Sequence, residues 1–173
     1  MPRPGRARSF PYSADENARI LVLGSMPGEE SLRRQEYYAF KRNAFWRIMG
    51  EVYGFSPELP YEERLAALRA NGVALWDVLA ECIRPGSLDS AIRAPRPNDI
   101  PGLVKRLPRL EKILCNGGAA RNCLRRFFPE LAAEQLPSTS PAAARFSYAE
   151  KLDVWRRALG GPATDAGQKT GTV

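Results

Sequence analysis

Short apolar runs alternate with longer amphipathic segments along this chain. The runs predict strands at 20–23, 73–79, 112–115 and, with a weaker pattern, 133–136. The amphipathic segments predict helices at 44–53, 61–70, 100–107, 119–128 and 148–159, the last with Ser147 as its N-cap. Because strand and helix alternate, we expect an α/β fold: a three-layer α/β/α sandwich with a central four-stranded parallel sheet and right-handed crossovers.

The two ends of the chain lack this periodicity. Residues 1–15 contain Pro, Gly and Arg without a repeating pattern, and residues 161–173 are mostly small and polar. Both segments are therefore predicted to be flexible tails on a single folded domain over 16–160. A chain of 173 residues is long enough to bury one core without a disulfide or a structural metal.

The charge balance is basic, with 26 Lys and Arg against 19 Asp and Glu and a net charge of +7. This balance favours a polyanionic partner, because guanidinium groups match the geometry of phosphate. A high arginine content that only reflects genomic base composition explains the charge equally well. Charge therefore supports a nucleic-acid partner without selecting it.

Histidine is absent from the sequence. This excludes Ser-His-Asp and Cys-His catalysis and histidine zinc sites. The cysteines Cys82, Cys115 and Cys123 form no CxxC pair and are expected to be reduced core thiols. A Walker loop and a GxGxxG loop are also missing, so no metal and no cofactor are predicted. Without a long apolar run or a signal-peptide pattern, the expected location is cytoplasmic.

Three of the predicted strands end in turns that carry small polar residues. The Gly- and Pro-containing turn 24–28 follows the first strand, Asn116 ends the third, and the turn 136–142 follows the fourth. Because parallel strands end at one edge of a sheet, we expect these turns to meet in one ligand site. A tight strand-to-helix connection at 24–28 and a turn-forming asparagine at Asn116 are the alternatives without function.

Aromatic and basic residues alternate between Tyr37 and Arg47. Such a segment can stack on a nucleobase while its cations hold phosphates. Asn43, the lone amide of the segment, also stands where a helix is predicted to start, and an N-cap would need no further function. Core packing is the simpler explanation for Phe45 and Trp46.

Five motifs in this order resemble the hypoxanthine-DNA glycosylase branch of the uracil-DNA glycosylase superfamily. They are Gly-Ser-Met-Pro-Gly, Tyr-Tyr-Ala-x-x-Arg-Asn-x-Phe-Trp, Leu-Trp-Asp-Val-x-x-x-Cys-x-Arg-x-Gly-Ser-x-Asp-Ser, Asn-Gly and Leu-Pro-Ser-Thr-Ser-Pro-Ala. The resemblance spans residues 20–159. It implies a monomeric, monofunctional glycosylase of base excision repair that needs no cofactor and removes deaminated bases, chiefly hypoxanthine, from double- or single-stranded DNA.

By the same resemblance, each motif receives a task in cleaving the N-glycosidic bond. The residues expected to act in catalysis, by orienting the water or the leaving base, are Asn43 and Ser25. Those expected to bind the base are Gly24, Met26, Pro27, Tyr38, Phe45 and Asn116. Those expected to bind DNA phosphates are Lys41, Arg42, Ser138, Thr139, Ser140 and Arg145.

The chain departs from the wider superfamily at three places. The turn 136–142 lacks the histidine that is common there, so no imidazole stabilises the leaving base. Met26 stands where relatives carry Asn or a water-activating Asp, so efficient uracil excision is not expected. Phe40 and Lys41 replace a frequent His-Pro pair and change the detail of the pocket.

Two carboxylates, Asp77 and Asp89, lie inside the shared motifs, and either could orient the water or stabilise the cationic sugar, but position favours a structural role for both. Asp77 follows Trp76 in an apolar strand, where an acid is expected to be paired with an arginine or a helix cap. Asp89 is expected to be a helix N-cap. Two other functions stay open: a uracil or mismatched-thymine glycosylase of the same fold, and a non-catalytic nucleic-acid-binding relative.

Overall fold

A computed structural model describes residues 5–160 of the protein. Its strands are β1 (Ala7–Arg8), β2 (Ile20–Gly24), β3 (Val73–Asp77), β4 (Leu79–Ile83), β5 (Arg93–Pro97), β6 (Lys112–Asn116) and β7 (Glu134–Leu136). Its helices are α1 (Glu29–Arg34), α2 (Phe45–Tyr53), α3 (Tyr61–Ala70), α4 (Ile100–Lys105), α5 (Gly118–Phe127) and α6 (Tyr148–Leu159). A short 3-10 turn covers Asp89–Ala91.

Four parallel strands form the main sheet in the order β3-β2-β6-β7. The register places Gly24 of β2 opposite Asp77 of β3, and Asn116 of β6 opposite Leu136 of β7. The carboxyl ends of all four strands therefore lie along one edge. This alignment confirms the predicted sheet and brings the three polar turns together.

Alternate residues of the central strand β2 face two separate cores. Ile20 and Val22 pack with α2, α3 and α6, whereas Leu21 and Leu23 pack with α4 and α5. A strand that is buried on both faces reads as a continuous apolar run, which is why its sequence predicts a central parallel strand. The two cores confirm the three-layer α/β/α sandwich.

Helix α6 fixes the loop that follows β7. It begins at a capping box in which Ser147 Oγ accepts from the Glu150 amide and Glu150 Oε1 accepts from the Ser147 amide, both at 3.1 Å. This confirms Ser147 as the predicted N-cap. Further along the helix, buried Trp155 donates from Nε1 to the Pro137 carbonyl at 2.9 Å. The start of the loop is thereby tied to the core.

A second, antiparallel sheet of order β1-β4-β5 is not predicted by the sequence. The strand predicted over 73–79 is in fact two strands, because β3 stops at Asp77 and Leu79 opens β4. The pairing of β4 with β5 contains two register shifts, so neither strand shows a regular alternation. The other predicted elements differ from the observed ones by only one or two residues at their ends.

Residues 5–15 are ordered, contrary to the prediction of a flexible tail over 1–15. Strand β1 pairs with β4, Phe10 is buried, and Ser13 exchanges backbone hydrogen bonds with Leu75 of β3. One buried aromatic residue and a few strand-like bonds hold this segment, and neither leaves a periodic signal. The predicted tail at 161–173 lies outside the described residues. No helix within residues 5–160 is long and apolar enough to cross a membrane.

Candidate active site

A cavity of about 350 Å³ opens at the carboxyl edge of the main sheet, and we call it the edge cavity. This volume lies within the range of sites for small organic ligands. Six stretches of chain line it: the turn 24–28 with the start of α1, segment 37–43, the end of β3 at Asp77, segment 87–89, the end of β6 at Asn116 and the loop 138–142. The structure therefore brings the predicted polar turns into one site.

Gly24 leaves room in the floor of the edge cavity. A Cβ atom built on Gly24 would overlap Asp77 Oδ1 and lie 3.0 Å from Tyr38 Oη. Both side chains point into the space above this glycine, so a residue with a side chain could not take its place without moving them. Gly24 contributes to the site because it has no side chain. The sequence indicated only a tight turn at this position.

Ser25 is held by a partly buried hydrogen-bond and ion-pair network on one wall of the cavity, in which Asp89 is 45% exposed. Its Oγ donates to Asp89 Oδ1 at 2.6 Å, and Arg84 NH1 lies 3.6 Å from the same oxygen. Arg84, with a side chain that is 1% exposed, also donates to the carbonyl of Pro27. The prediction of Asp89 as an N-cap is wrong, since its carboxylate accepts from Ser25 and no side-chain cap is present. The network fixes the turn 24–28, which also places Met26 and Pro27 in the lining.

Asp77, at the end of β3, lines the floor of the cavity and is 3% exposed. The expected arginine or helix-cap partner is absent within residues 5–160, and Asp77 Oδ2 has no hydrogen-bond partner. Burial, and secondly the charge of Asp89, raise the pKa of Asp77 from 3.8 to about 7, against a smaller lowering by Arg84. Asp77 is therefore a site residue, and the prediction of a paired structural acid is wrong.

Tyr38 forms the part of the wall next to Asp77. Its hydroxyl is buried beside the Asn116 side chain without the geometry of a full hydrogen bond, and its ring stacks on Phe45 with centroids 4.0 Å apart. Tyr38 has a positive φ of 56°, a strained conformation for a residue with a side chain. Phe45 is fully buried behind it and does not line the cavity, so the prediction that Phe45 binds the base is wrong. Phe45 supports Tyr38 instead.

Asn43 lines the edge cavity and supports the start of α2, but the N-cap of that helix is Ala44 without a side-chain cap, so the N-cap alternative for Asn43 is wrong. Its Oδ1 accepts from the Phe45 amide at 3.0 Å, which bonds one of the first amides of α2. The same side chain lines the edge cavity, and its Nδ2 makes no hydrogen bond within the described part of the chain. Asn43 therefore offers an amide donor to a ligand while its oxygen holds the helix start. The Ala44 amide donates to the Thr139 carbonyl at 2.9 Å and fixes the helix start to the opposite loop.

Asn116 holds the loop after β7. Its Oδ1 accepts from the Thr139 amide and its Nδ2 donates to Thr139 Oγ1, both at 2.9 Å. The same amide also interacts with the Tyr38 hydroxyl, and one lone pair of its oxygen remains for a ligand in the cavity. Thr139 lines both cavities but is only 1% exposed, and its hydroxyl accepts from Asn116 inside the protein. Its burial argues against the predicted phosphate contact, which stays a prediction.

Phe40 is a lining residue that the sequence indicated only as a departure from the superfamily pattern. It is 48% exposed at the cavity mouth, next to the buried polar floor. An exposed aromatic ring at the mouth of a polar cavity is placed to stack on a planar ligand. The alternation of aromatic and basic residues indicated that an aromatic residue of this segment could stack on a base. The sequence did not show that Phe40 is exposed whereas the neighbouring aromatic residues are more buried.

A second cavity of about 380 Å³ adjoins the first, and we call it the basic cavity. Four cationic residues line it: Lys41, Arg42, Arg47 and Lys151. Lys151 is buried, which lowers the pKa of its ammonium group, and it donates to the Ser140 carbonyl at 3.1 Å. Lys151 was not among the predicted residues, since a lysine on an amphipathic helix is usually solvated.

The remaining predicted phosphate contacts have mixed positions. Ser138 Oγ accepts from the Ser140 amide and Ser140 Oγ accepts from the Ala142 amide, so both hydroxyls also shape the loop. Arg145 is exposed and lies over the ring of Phe146 at 5.5 Å, and it lines neither cavity. Lys41 and Arg42 are exposed between the two cavities, as a contact to a polyanion requires.

Comparisons with known proteins agree with this fold. The model of the family described as Uracil DNA glycosylase superfamily matches residues 10–159. A Methanosarcina acetivorans protein named Hypoxanthine DNA glycosylase is 42% identical over 144 residues, covering 81% of this chain and 90% of the relative. A Methanosarcina barkeri protein of the same name is 38% identical over 113 residues, covering 65% of this chain and 72% of the relative.

A solved structure shows the same likeness in three dimensions. It is the solution NMR structure of a "putative Uracil DNA glycosylase" from Methanosarcina acetivorans, with a TM-score of 0.74 and 39% identity. The match covers 90% of this chain and 99% of that one. Family model, sequence relatives and structure all extend over most of the described domain, and the chain belongs to the uracil DNA glycosylase superfamily.

Proposed function

We propose that this protein is a monofunctional DNA glycosylase that hydrolyses the N-glycosidic bond of deoxyinosine and releases hypoxanthine. Two relatives, 42% and 38% identical to this chain over the aligned residues, carry the name Hypoxanthine DNA glycosylase. The observation that carries the proposal is the edge cavity itself, in which unpartnered polar groups lie beneath aromatic rings at one end of the sheet. This arrangement suits a neutral, planar base with a polar edge.

The base reaches such a site only outside the helix stack. A glycosylase flips its target nucleotide out of the duplex, and the base then enters a pocket that is closed to water. Phe40 at the mouth and Tyr38 in the wall supply aromatic surface for the base. The Nδ2 group of Asn43 supplies a donor to its carbonyl or to the attacking water, and the free lone pair of Asn116 Oδ1 supplies an acceptor.

Hydrolysis breaks the bond between C1′ of the sugar and a ring nitrogen of the base. The electron pair of that bond leaves with the base, the sugar becomes cationic, and water adds to C1′. The protein must therefore hold the leaving base and position a water, and neither task requires a covalent intermediate. Without a nucleophilic amine in the edge cavity, the abasic site is left intact.

The partner of the protein is DNA, and the basic cavity supports a phosphate contact next to the flipped nucleotide. Lys41, Arg42 and Lys151 line the basic cavity, which has Asn43, Thr139 and Pro141 in common with the edge cavity. Phosphate contacts of this kind set the position of the backbone and carry no sequence information. The protein acts on this DNA as a monomer, a state that size-exclusion chromatography with light scattering would check.

The test uses purified protein and duplex oligonucleotides that carry deoxyinosine, uracil or a thymine mismatch. We expect free hypoxanthine and strand breaks at deoxyinosine that appear only after alkali treatment. Asn43→Ala should abolish the breaks, and Asn122→Ala, which changes an exposed amide of α5 outside both cavities, should not.

Two other outcomes would contradict the proposal. Preferential release of uracil or thymine would assign a different base to the same fold. DNA binding that weakens with salt, without release of any base, would identify a non-catalytic relative, because phosphate contacts depend on ionic strength whatever the chemistry.

A further inference from the structure

The floor of the edge cavity contains two buried polar atoms that the protein itself leaves unpaired. They are Asp77 Oδ2, which has no hydrogen-bond partner within residues 5–160, and Tyr38 Oη, which lies beside the Asn116 side chain without the geometry of a full hydrogen bond. An unpaired buried polar group costs free energy, on the order of 1–3 kcal/mol for a neutral group and more for a charged one. Such groups in a ligand cavity are expected to find their partner on the ligand.

Asp77 is placed at the floor by the main sheet and not by a mobile loop. It is the last residue of β3, in register with Gly24 of the central strand. The Asn98 side chain donates from Nδ2 to the Asp77 backbone carbonyl at 2.8 Å and fixes the main chain at this point. The carboxyl group therefore has a fixed position beneath any base that enters.

The surroundings of Asp77 favour its neutral form. The hydroxyls of Tyr37 and Tyr38 face it from the segment after α1, and burial raises the pKa of both, so they carry no charge at ordinary pH. Asp89 adds a negative charge nearby. Arg84 lies near both acids but forms its ion pair with Asp89. No cation lies within 4 Å of Asp77 in the described structure to stabilise a carboxylate.

We infer that Asp77 is a catalytic residue that, as a neutral carboxylic acid, donates a hydrogen bond to the base as it leaves. The inference rests on the proposed glycosylase function. The chain has no histidine to stabilise the departing base, and Asp77 is the titratable carboxyl in the floor of the cavity. Preorganised donors aimed at developing negative charge are among the largest contributors to enzymatic rate.

The step balances without a co-reactant. As the bond to C1′ breaks, its electron pair spreads over the base and onto the carbonyl oxygen, which accepts from the Asp77 O–H. The oxygen of water bonds to C1′. The water loses one proton in this step, and the free base gains one, so the protons balance. Asp77 ends the cycle in its starting protonation state. An ionised Asp77 would oppose the same charge, so ionisation slows the reaction.

The experiment measures single-turnover cleavage of a deoxyinosine duplex from about pH 5 to 9 in the wild type and in Asp77→Asn, Asp77→Ala and Glu62→Gln. Glu62 is exposed on α3 and serves as the control. The wild-type rate should fall as the pH rises through the range in which Asp77 ionises. Asp77→Asn keeps an N–H donor and should retain activity within about tenfold of the maximum, without this decline. Asp77→Ala should lose on the order of 100-fold.

Asp77→Asn preserves the shape of the carboxyl, and thermal unfolding of each variant shows whether the fold is kept. A wild-type rate that rises with pH, together with an inactive Asp77→Asn variant, would overturn the inference, since it would identify an ionised base that activates water. A decline with pH that Asp77→Asn shares with the wild type would overturn it as well. Wild-type protein that releases no hypoxanthine at any pH would instead overturn the proposed function.

Carbon NMR of the Asp77 carboxyl in the free protein gives a readout without catalysis. The inference expects this group to be protonated at pH 6. A carboxyl that is fully ionised at pH 6 would overturn the inference while leaving the glycosylase function intact.

Discussion

Gly24 and Asp77 lie opposite each other at the ends of neighbouring parallel strands, and the missing side chain of Gly24 leaves the space that Asp77 Oδ1 occupies. One residue type thus makes room for the functional group of the other. The pair forms the floor of the edge cavity, where the base of the nucleotide is proposed to lie.

Gly24→Ala is expected to damage both activity and stability. The new methyl group would overlap Asp77 Oδ1 and crowd Tyr38 Oη, and overpacking of this kind costs roughly 1–3 kcal/mol. Single-turnover cleavage of deoxyinosine should drop by at least tenfold, and the melting temperature should fall. Gly5→Ala is the matched control, because its Cβ meets nothing within 4 Å. Equal effects of the two substitutions would show that the space above Gly24 is unimportant.

The stability of the protein is expected to decrease as the pH rises from about 4 to about 7. The folded-state pKa of Asp77 is about 7, above its unfolded value near 3.8, so the neutral form favours folding and the stabilisation disappears on ionisation. A difference of about three units corresponds to ~4 kcal/mol. Urea unfolding at several pH values, compared with Asp77→Asn, isolates this contribution. A difference between the two proteins that is constant with pH would contradict it.

Asp89→Asn is expected to lower the pKa of Asp77. The charge of Asp89 raises this pKa, and its removal leaves Arg84 as the nearby charge, which lowers it. Carbon NMR titration of the Asp77 carboxyl measures the shift directly. Asp153→Asn changes an exposed acid of α6 and should leave the titration unchanged. An unchanged or raised pKa in Asp89→Asn would show that the two acids do not interact as described.

Thr139→Val is expected to reduce stability without weakening the phosphate contacts. The buried hydroxyl accepts from Asn116 Nδ2, and loss of one such bond costs about 1 kcal/mol. The plot of binding constant against salt should keep its slope. Lys41→Ala and Arg42→Ala should each reduce the slope by about 0.9 without a loss of stability. A reduced slope in Thr139→Val would restore the phosphate role that its burial argues against.

Asn116→Ala is expected to cost more stability than Thr139→Val, because it removes both bonds to the loop after β7. Two lost bonds, one of them to the Thr139 amide, correspond to roughly 1–3 kcal/mol. Asn116→Asp keeps the acceptor for the Thr139 amide and should recover part of this loss. Thermal unfolding of the three variants orders them. Equal stability of Asn116→Ala and wild type would show that the loop is held elsewhere.

The edge of the main sheet was predictable from the sequence because a parallel strand that is buried on both faces leaves a continuous apolar run. The ends of those runs placed Gly24 and Asn116 at one edge, and the structure confirms that edge. The strands β4 and β5 were not predictable, since their pairing contains register shifts and little alternation.

The predictions within the site that the structure contradicts or argues against share one cause: the sequence indicates the type of each residue but not how deeply its side chain is buried. Phe45 and Thr139 belong to motifs that point to ligand contact, yet Phe45 is buried behind the lining residues and Thr139 lines the cavity with only 1% of its surface exposed. Asp77 shows the opposite error. An acid in an apolar strand predicts a partner within the protein, and only the three-dimensional arrangement shows that the partner is missing.

The contacts of α6 with the loop after β7 bear on how the site comes into being during synthesis. Trp155 donates to the Pro137 carbonyl, and Lys151 donates to the Ser140 carbonyl. Ser140 lines the edge cavity, and Pro137 directly precedes the lining loop 138–142. A nascent chain that has not yet released α6 from the ribosome lacks these anchors, although most of the sheet is already made. The wall of the edge cavity therefore gains these anchors only after α6 has left the ribosome and packed on the loop.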